Sequence, residues 1–209
     1  METKIKTIIF DYDGTLIERD EKKIILESLG KIENSEKIAE FVMANRISMG
    51  DVKKTFQYAF DHFKIPFTEV QLEEYMHEYV NHYKTGIIRQ EVKALLVEFS
   101  KNYELLLLSD GSKTLKIEEL KFNNCLNFFK EIITNKDTGF SKSDSRALRV
   151  VLEKYNLKPE EVICIGNSLS SDISPAEKLK IKTIWISNII PTKILKDVTF
   201  LNEEVISKL

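Results

Sequence analysis

The chain has 209 residues, 43% hydrophobic and 31% charged, with a formal net charge of −2. Its length suits one sizeable domain, or a core with a smaller companion, and its balance is that of an ordinary globular protein. Acids and bases are mixed throughout, which argues against a broad basic surface for nucleic acid. No apolar run approaches the ~20 residues of a membrane helix, and two cysteines, Cys125 and Cys164, cannot make a disulfide framework.

The first residues run straight into an apolar segment and lack the apolar core of a secretory signal, so a cytoplasmic protein is expected. The first predicted element is a strand at residues 7–10, ending at Asp11. From about 18 to 85 the periodicity is helical only. Ile24, Ile25 and Leu29, then Ile38, Phe41 and Val42, predict two short helices. Val52, Phe56, Ala59, Phe60 and Phe63 form one apolar stripe, and Leu72, Tyr75, Met76, Tyr79, Val80 and Tyr83 form another. Pro66 separates the stripes, and Thr68 with Gln71 has the spacing of a capping box. These aromatic stripes are read as bundle core.

Beyond residue 85 helices and strands alternate. Helical patterns cover 92–99, 114–122 and 147–155; apolar strands are predicted at 105–108, 162–165 and 183–186, with a weaker one at 131–134. Continuous apolar strands are those covered on both faces, and the alternation predicts an α/β fold: a Rossmann-like, doubly wound parallel sheet. Residues 1–17 and 86–209 are expected to form this α/β core, and 18–85 an inserted all-helical cap domain. An insertion just after a strand's C-terminal end is expected to hang over the ligand crevice. Cys164 lies inside the strand at 162–165 and is read as a buried, inert thiol.

The strongest motif is Asp11-Tyr12-Asp13-Gly14-Thr15, directly after the first strand. Two carboxylates two residues apart can divide the work of attack or metal binding from that of proton transfer. A calcium loop would need glycine at its sixth position and glutamate at its twelfth, where this chain has Leu16 and Lys22. Three further signals follow predicted strands or precede helices. Ser109-Asp110-Gly111 offers a hydroxyl and backbone N–H groups near a helix start, an anion site. Lys142 lies in a loop just before a helix. Gly166-Asn167-Ser168, with Asp172 beyond, supplies oxygen donors suited to magnesium.

In this order, Asp11-x-Asp13-Gly14-Thr15, Ser109, Lys142 and Gly166-x-Ser168 with Asp172 resemble the four motifs of the haloacid dehalogenase superfamily. The helical insertion resembles the cap of the subfamily that includes phosphoglycolate phosphatases and β-phosphoglucomutases. The resemblance implies that Asp11 attacks phosphorus to form an aspartyl-phosphate. It implies that Asp13 protonates the leaving alkoxide and later deprotonates water. Ser109 would bond a phosphoryl oxygen, and Lys142 would neutralise Asp11 and the transferring group. Tyr12, Ser109, Asp110 and Lys142 are the implied phosphate-binding positions. The implied Mg2+ ligands are the Asp11 carboxylate, the Asp13 carbonyl and the fourth motif, where Asn167 stands at a position that is often aspartate. Either Asn167 or Asp172 then serves as the direct ligand. Ser143, where proline is frequent, is expected to cap the following helix.

The expected function is hydrolysis of a small phosphorylated metabolite, with no nucleic-acid or membrane partner. Carbon–halogen hydrolysis is the alternative on this fold, but a halide leaves without a proton and Asp13 would then have no task. A phosphomutase passes the same phosphoryl group to another hydroxyl, and a weakened phosphate-binding protein would be favoured only by Asn167. Arg46, Lys53, Lys54, His62, His77, His82 and Lys84 are candidates to meet a polar leaving group, each with a solvated helix face as the plainer reading.

Overall fold

In chain order the elements begin with β1 (Thr7–Phe10), followed by helices α1 (Glu21–Leu29), α2 (Ser35–Met49), α3 (Val52–His62) and α4 (Glu69–Tyr83). Then come α5 (Gln90–Ser100), β2 (Glu104–Ser109), α6 (Lys113–Phe122), β3 (Phe129–Thr134), α7 (Asn135–Thr138) and α8 (Ser145–Lys154). The chain closes with β4 (Val162–Gly166), α9 (Ser174–Lys178), β5 (Lys182–Trp185) and β6 (Val198–Phe200). The computed structural model describes residues 4–49, 51–186 and 198–200, without the side chains of 46–49 and 198–200. Arg46 as a candidate contact therefore lies outside the described side chains. The chain divides into two compact units, Met1–Glu18 with Ile87–Leu209, and Arg19–Gly86.

The first unit is built on a six-stranded sheet of order β3-β2-β1-β4-β5-β6. Every pairing in it is parallel. The weaker strand expected at 131–134 is a full member, starting at Phe129. Successive residues of a strand face opposite sides. Ile8, Phe10, Leu105 and Leu107 therefore pack with Leu96, Phe99 and Leu120 from α5 and α6. Ile9, Leu106, Leu108 and Cys164 pack with Leu148, Val151 and Leu152 of α8. Each such side chain contributes roughly 1.5–3 kcal/mol through burial, which is why the strands read as unbroken apolar runs.

The strand order reverses between β1 and β4, the place where parallel α/β sheets open a ligand crevice at their C-terminal ends. Phe10, the last residue of β1, registers with both Leu107 and Ile165. Asp11, Leu108-Ser109 and Gly166 thus emerge at one edge. Further on, Ile17 bridges back to Asp13 and pairs with Ile88. The Ile88 N–H donates to Asn123 Oδ1 at 2.8 Å, and Arg89 lies 3.6 Å from Glu18. The excursion between Arg19 and Gly86 therefore leaves and re-enters this unit at adjacent points.

The second unit is all helical. Asp20 caps α1, Asp51 caps α3, and Thr68 with Gln71 forms a complete capping box on α4. Ile25, Ile38, Val42, Phe56, Phe60 and Leu72 form its core. Most candidate polar residues here have plain local roles. Lys53 bridges Glu69 and Glu73, His62 stacks on Phe41, and His82 lies 3.4 Å from Glu27. His77 is exposed beside Glu78, Lys54 is exposed, and Lys84 is half-buried at the end of α4. Among the described residues no helix is long and apolar enough to cross a membrane.

Candidate active site

Asp11 is only 4% exposed, and its N–H donates to the Ile165 carbonyl at 2.8 Å, locking it to the end of β4. One carboxylate oxygen, Oδ1, pairs with the Lys142 ammonium. The other, Oδ2, accepts from the Thr15 hydroxyl at 2.8 Å. The turn that carries both residues is held by the Tyr12 carbonyl, which accepts from the N–H groups of Thr15, Leu16 and Ile17. Gly14 adopts φ +80°, and a Cβ there would stand 2.1 Å from the Asn167 amide. Only glycine satisfies both demands.

Lys142 is supplied from across the sheet. Its ammonium reaches Asp172 Oδ1 at 2.8 Å as well as Asp11. The loop before α8 is fixed by Asp110, whose carboxylate accepts from Ser141 Oγ at 2.7 Å and from the Lys142 N–H at 3.1 Å. Asp172 sits in a single π turn, Leu169–Ile173, and its Oδ2 accepts from the Ser168 N–H at 2.8 Å. A Cβ on Gly166 would fall 2.5 Å from that carboxylate, so the close approach of Asp172 to β4 requires the glycine.

Asp11, Lys142 and Asp172 line a small recess with Ile9, Leu108 and Cys164. Burial pushes the Asp11 carboxyl up to about 6, Lys142 pulling it back and Asp172 pushing it further. Burial works against the charge on Lys142, but the two carboxylates prevail and leave its pKa raised. Burial also drives the Cys164 thiol strongly upward, with the Asp172 charge adding to it, as suits an inert core cysteine. Two carboxylates facing one ammonium leave the cluster one negative charge out of balance. Hard oxygen donors with a residual negative charge are the chemistry that a magnesium ion takes.

The predicted site residues have separate places. Asp11, Lys142 and Asp172 meet directly. Ser109 is buried at the end of β2, on the same edge, with its hydroxyl donating to the Asp110 carbonyl at 3.3 Å. The Asp13 carboxylate points elsewhere, 3.6 Å from the Lys116 ammonium. Asn167 is exposed, with its side chain against the Asp13–Gly14 turn and its carbonyl accepting from Trp185 Nε1 at 2.9 Å.

The expected phosphate positions at Tyr12 and Asp110 are narrowed to their backbone, and one expectation, the cap of α8, changes. The Tyr12 side chain is fully buried and its hydroxyl donates to Glu119 at 2.7 Å, so the ring itself is core and cannot meet a phosphate. The Asp110 carboxylate is occupied with the Lys142 loop, leaving only its backbone for an anion. Ser143 does not cap α8; Asp144 does, accepting from the Arg146 N–H at 2.9 Å, while Ser143 pairs with Ser141. Sequence reading also passed over Lys116 and Glu119, both buried on α6. Their three-residue spacing puts them on one helix face with Leu120 and Asn123, but no apolar stripe marks that face as buried.

A Rossmann-like parallel sheet whose first strand is followed by a buried aspartate, paired to a lysine from the loop before α8, defines an α/β protein with its candidate site at the C-terminal strand ends. The haloacid dehalogenase-like hydrolase family matches residues 8–186, and the chain belongs to it. Glyceraldehyde 3-phosphate phosphatase from Pyrococcus furiosus is 29% identical over 93 residues, covering 44% of this chain and 39% of that protein. The match thus spans about two fifths of the length of that relative. Among solved structures, the putative HAD-hydrolase YfnB from Bacillus subtilis, bound to magnesium, superposes with a TM-score of 0.75 at 17% identity, covering 99% of this chain and 98% of its own. L-2-haloacid dehalogenase from Xanthobacter autotrophicus gives 0.68 at 15%, covering 89% and 79%. Both share the fold.

Proposed function

We propose that this protein is a cytoplasmic, magnesium-dependent phosphatase acting on a small phosphorylated metabolite through an aspartyl-phosphate on Asp11. The observation that carries the reading is the Lys142 ammonium shared between Asp11 and Asp172 in a buried recess. A nucleophilic carboxylate must stay ionised and must approach a phosphoryl group that repels it. Lys142 serves both needs in a medium where each charge counts for more than in water.

In this reading an Asp11 oxygen attacks phosphorus while the bond to the ester oxygen breaks. Asp13 gives its proton to the departing alkoxide. It then takes a proton from a water whose oxygen attacks the aspartyl-phosphate, releasing phosphate and restoring Asp11. Asp13 is suited to this by its 44% side-chain exposure, which leaves it accessible to an incoming ester. Ser109 and the Ser109-Asp110 backbone would bond the phosphoryl oxygens.

The magnesium ion would be held by the Asp11 carboxylate, the Asp13 carbonyl and the Asn167 amide oxygen. Both Asp172 oxygens are engaged, by Lys142 and by the Ser168 N–H, whereas Asn167 lies against the Asp13–Gly14 turn. Turning the amide about its last torsion presents its oxygen there. Asp172 then has the role of holding Lys142. The ion, when bound, screens the repulsion between carboxylate and phosphate. The helical unit would act as a cap that selects the leaving group, a role supported by its departure at Arg19, soon after the first motif, and its end at Gly86, next to the Ile17–Ile88 bridge.

The dehalogenase alternative shares the fold but gives Asp13 nothing to do. The similarity to a glyceraldehyde 3-phosphate phosphatase favours the same choice. The test is release of phosphate from p-nitrophenyl phosphate with and without magnesium. Metal-dependent release that Asp11→Asn abolishes supports the reading, and a fully active Asp11→Asn defeats it. Isomerised product from a sugar phosphate, in place of free phosphate, would identify a mutase.

A further inference from the structure

Lysine is rarely buried without a specific partner, yet Lys116 on α6 keeps only 4% of its side chain exposed. Its ammonium lies 3.6 Å from Asp13 Oδ2 and 5.4 Å from the centre of the Tyr12 ring. A Cβ built on Gly111 would come within 3.6 Å of it. The charge therefore sits between the first motif and the turn after β2. Tyr12 is itself immobilised, fully buried and hydrogen-bonded to Glu119, which lies one turn beyond Lys116 on the same helix face.

We propose that Lys116 is a positioning residue for Asp13 and sets how well the enzyme cleaves esters of weakly acidic alcohols. The inference rests on Asp13 acting as the general acid and base. A long, flexible lysine normally loses much rotamer freedom when it holds a partner. Here the packing around Tyr12 and α6 removes that freedom in advance. With the ammonium beside Oδ2, the proton destined for the alkoxide is carried on Oδ1. As the phosphorus–oxygen bond breaks, that proton passes to the ester oxygen and the carboxylate left behind is stabilised by Lys116. In the second half-reaction the same oxygen takes a proton from the attacking water. No further reactant is needed.

A merely structural lysine and a positioning lysine make different predictions about leaving groups. Nitrophenolate departs without help, whereas phenolates of higher pKa and alkoxides need the proton. The second-order constant kcat/KM reports the first irreversible step, which is the formation of the aspartyl-phosphate under this mechanism. The experiment measures kcat/KM for aryl phosphates from p-nitrophenyl to phenyl, in the full-length wild type, Lys116→Met and Lys116→Arg, with folding checked by thermal melting.

Lys116→Met should lose about tenfold on phenyl phosphate and less than threefold on p-nitrophenyl phosphate, giving a steeper dependence on leaving-group pKa. Lys116→Arg should recover part of the phenyl phosphate rate. An equal loss on all esters, or no loss, overturns the inference while the phosphatase reading stands. If Lys116→Met does not fold, the slope of Lys116→Arg decides: its displaced charge must steepen the dependence, and an unchanged slope rejects the role. A wild type inactive on every ester removes the phosphatase reading and this inference with it.

Discussion

Asp172 Oδ1 holds the Lys142 ammonium at 2.8 Å while that same ammonium pairs with Asp11. The lysine is thus aimed by a second carboxylate. Replacing Asp172 with Asn removes the charge but keeps the shape and the acceptor for the Ser168 N–H. Turnover of p-nitrophenyl phosphate should fall by about ten- to a hundredfold, with thermal stability changed little. Unchanged turnover would show that the Lys142 loop, anchored by Asp110, needs no help.

Asp11→Asn should give a protein that is inactive and more stable. The folded carboxyl is pushed up to about 6, chiefly by burial, above its ordinary value of 3.8. The folded state therefore binds that proton more tightly than the unfolded chain. The favourable contribution is complete below the unfolded value and is lost as pH rises through about 6. Above that range an ionised Asp11 weighs against folding, and the uncharged amide leaves Lys142 and Asp172 as a neutral pair. Melting in a chelator should show Asp11→Asn gaining several degrees at pH 8 and little at pH 4. A gain that is independent of pH would argue against this cause.

Asp144 makes the opposite case. The hydrogen bonds from Arg146 hold its carboxyl down at about 2. Its contribution to stability is present above the unfolded value of 3.8 and is lost as pH falls through about 2. Asp144→Ala removes both this pairing and the N-cap of α8. It should lower the melting temperature by roughly 2–4 °C at neutral pH, with the difference shrinking in acid. Equal melting of the two proteins at pH 7 would contradict it.

Asn167→Asp restores a formal charge beside the Asp13–Gly14 turn. Magnesium binding measured by calorimetry should tighten by about tenfold, since carboxylate count tunes the affinity of hard-cation sites. If Asp172 were the direct ligand, this change would leave affinity nearly constant and Asp172→Asn would weaken it instead.

Most strands were legible because they are short apolar runs cut off by a polar residue, and the candidate site lies at those cuts; β3, with Lys130 and Glu131 inside it, gave the weaker signal. Asp11, Lys142 and Asp172 could be named because each falls in a motif that resembles the family's, and the parallel topology brings the C-terminal strand ends to one edge. Lys116 was not legible for a physical reason. On a helix pattern it reads as solvent-facing, and what buries it are Tyr12 and Asp13, about a hundred residues earlier in the chain. The misplaced cap has a local cause: Ser143 and Asp144 are both good capping residues, and only the path of the loop tied to Asp110 selects between them. The short β6 at Val198–Phe200 carries too few residues to show a period of its own.

The bridge between Ile17 and Ile88 has a meaning for how such a chain can change. Paired residues across an antiparallel bridge lie about 5 Å apart, so the two ends of the intervening segment are nearly coincident. The sheet's register is fixed on either side of that stitch and does not depend on what is threaded between. One inserted module could be exchanged for another, or cut to a tight turn, without moving Asp11. Under the proposed function, the selectivity of the enzyme and its bond-breaking chemistry are thereby free to vary as separate traits.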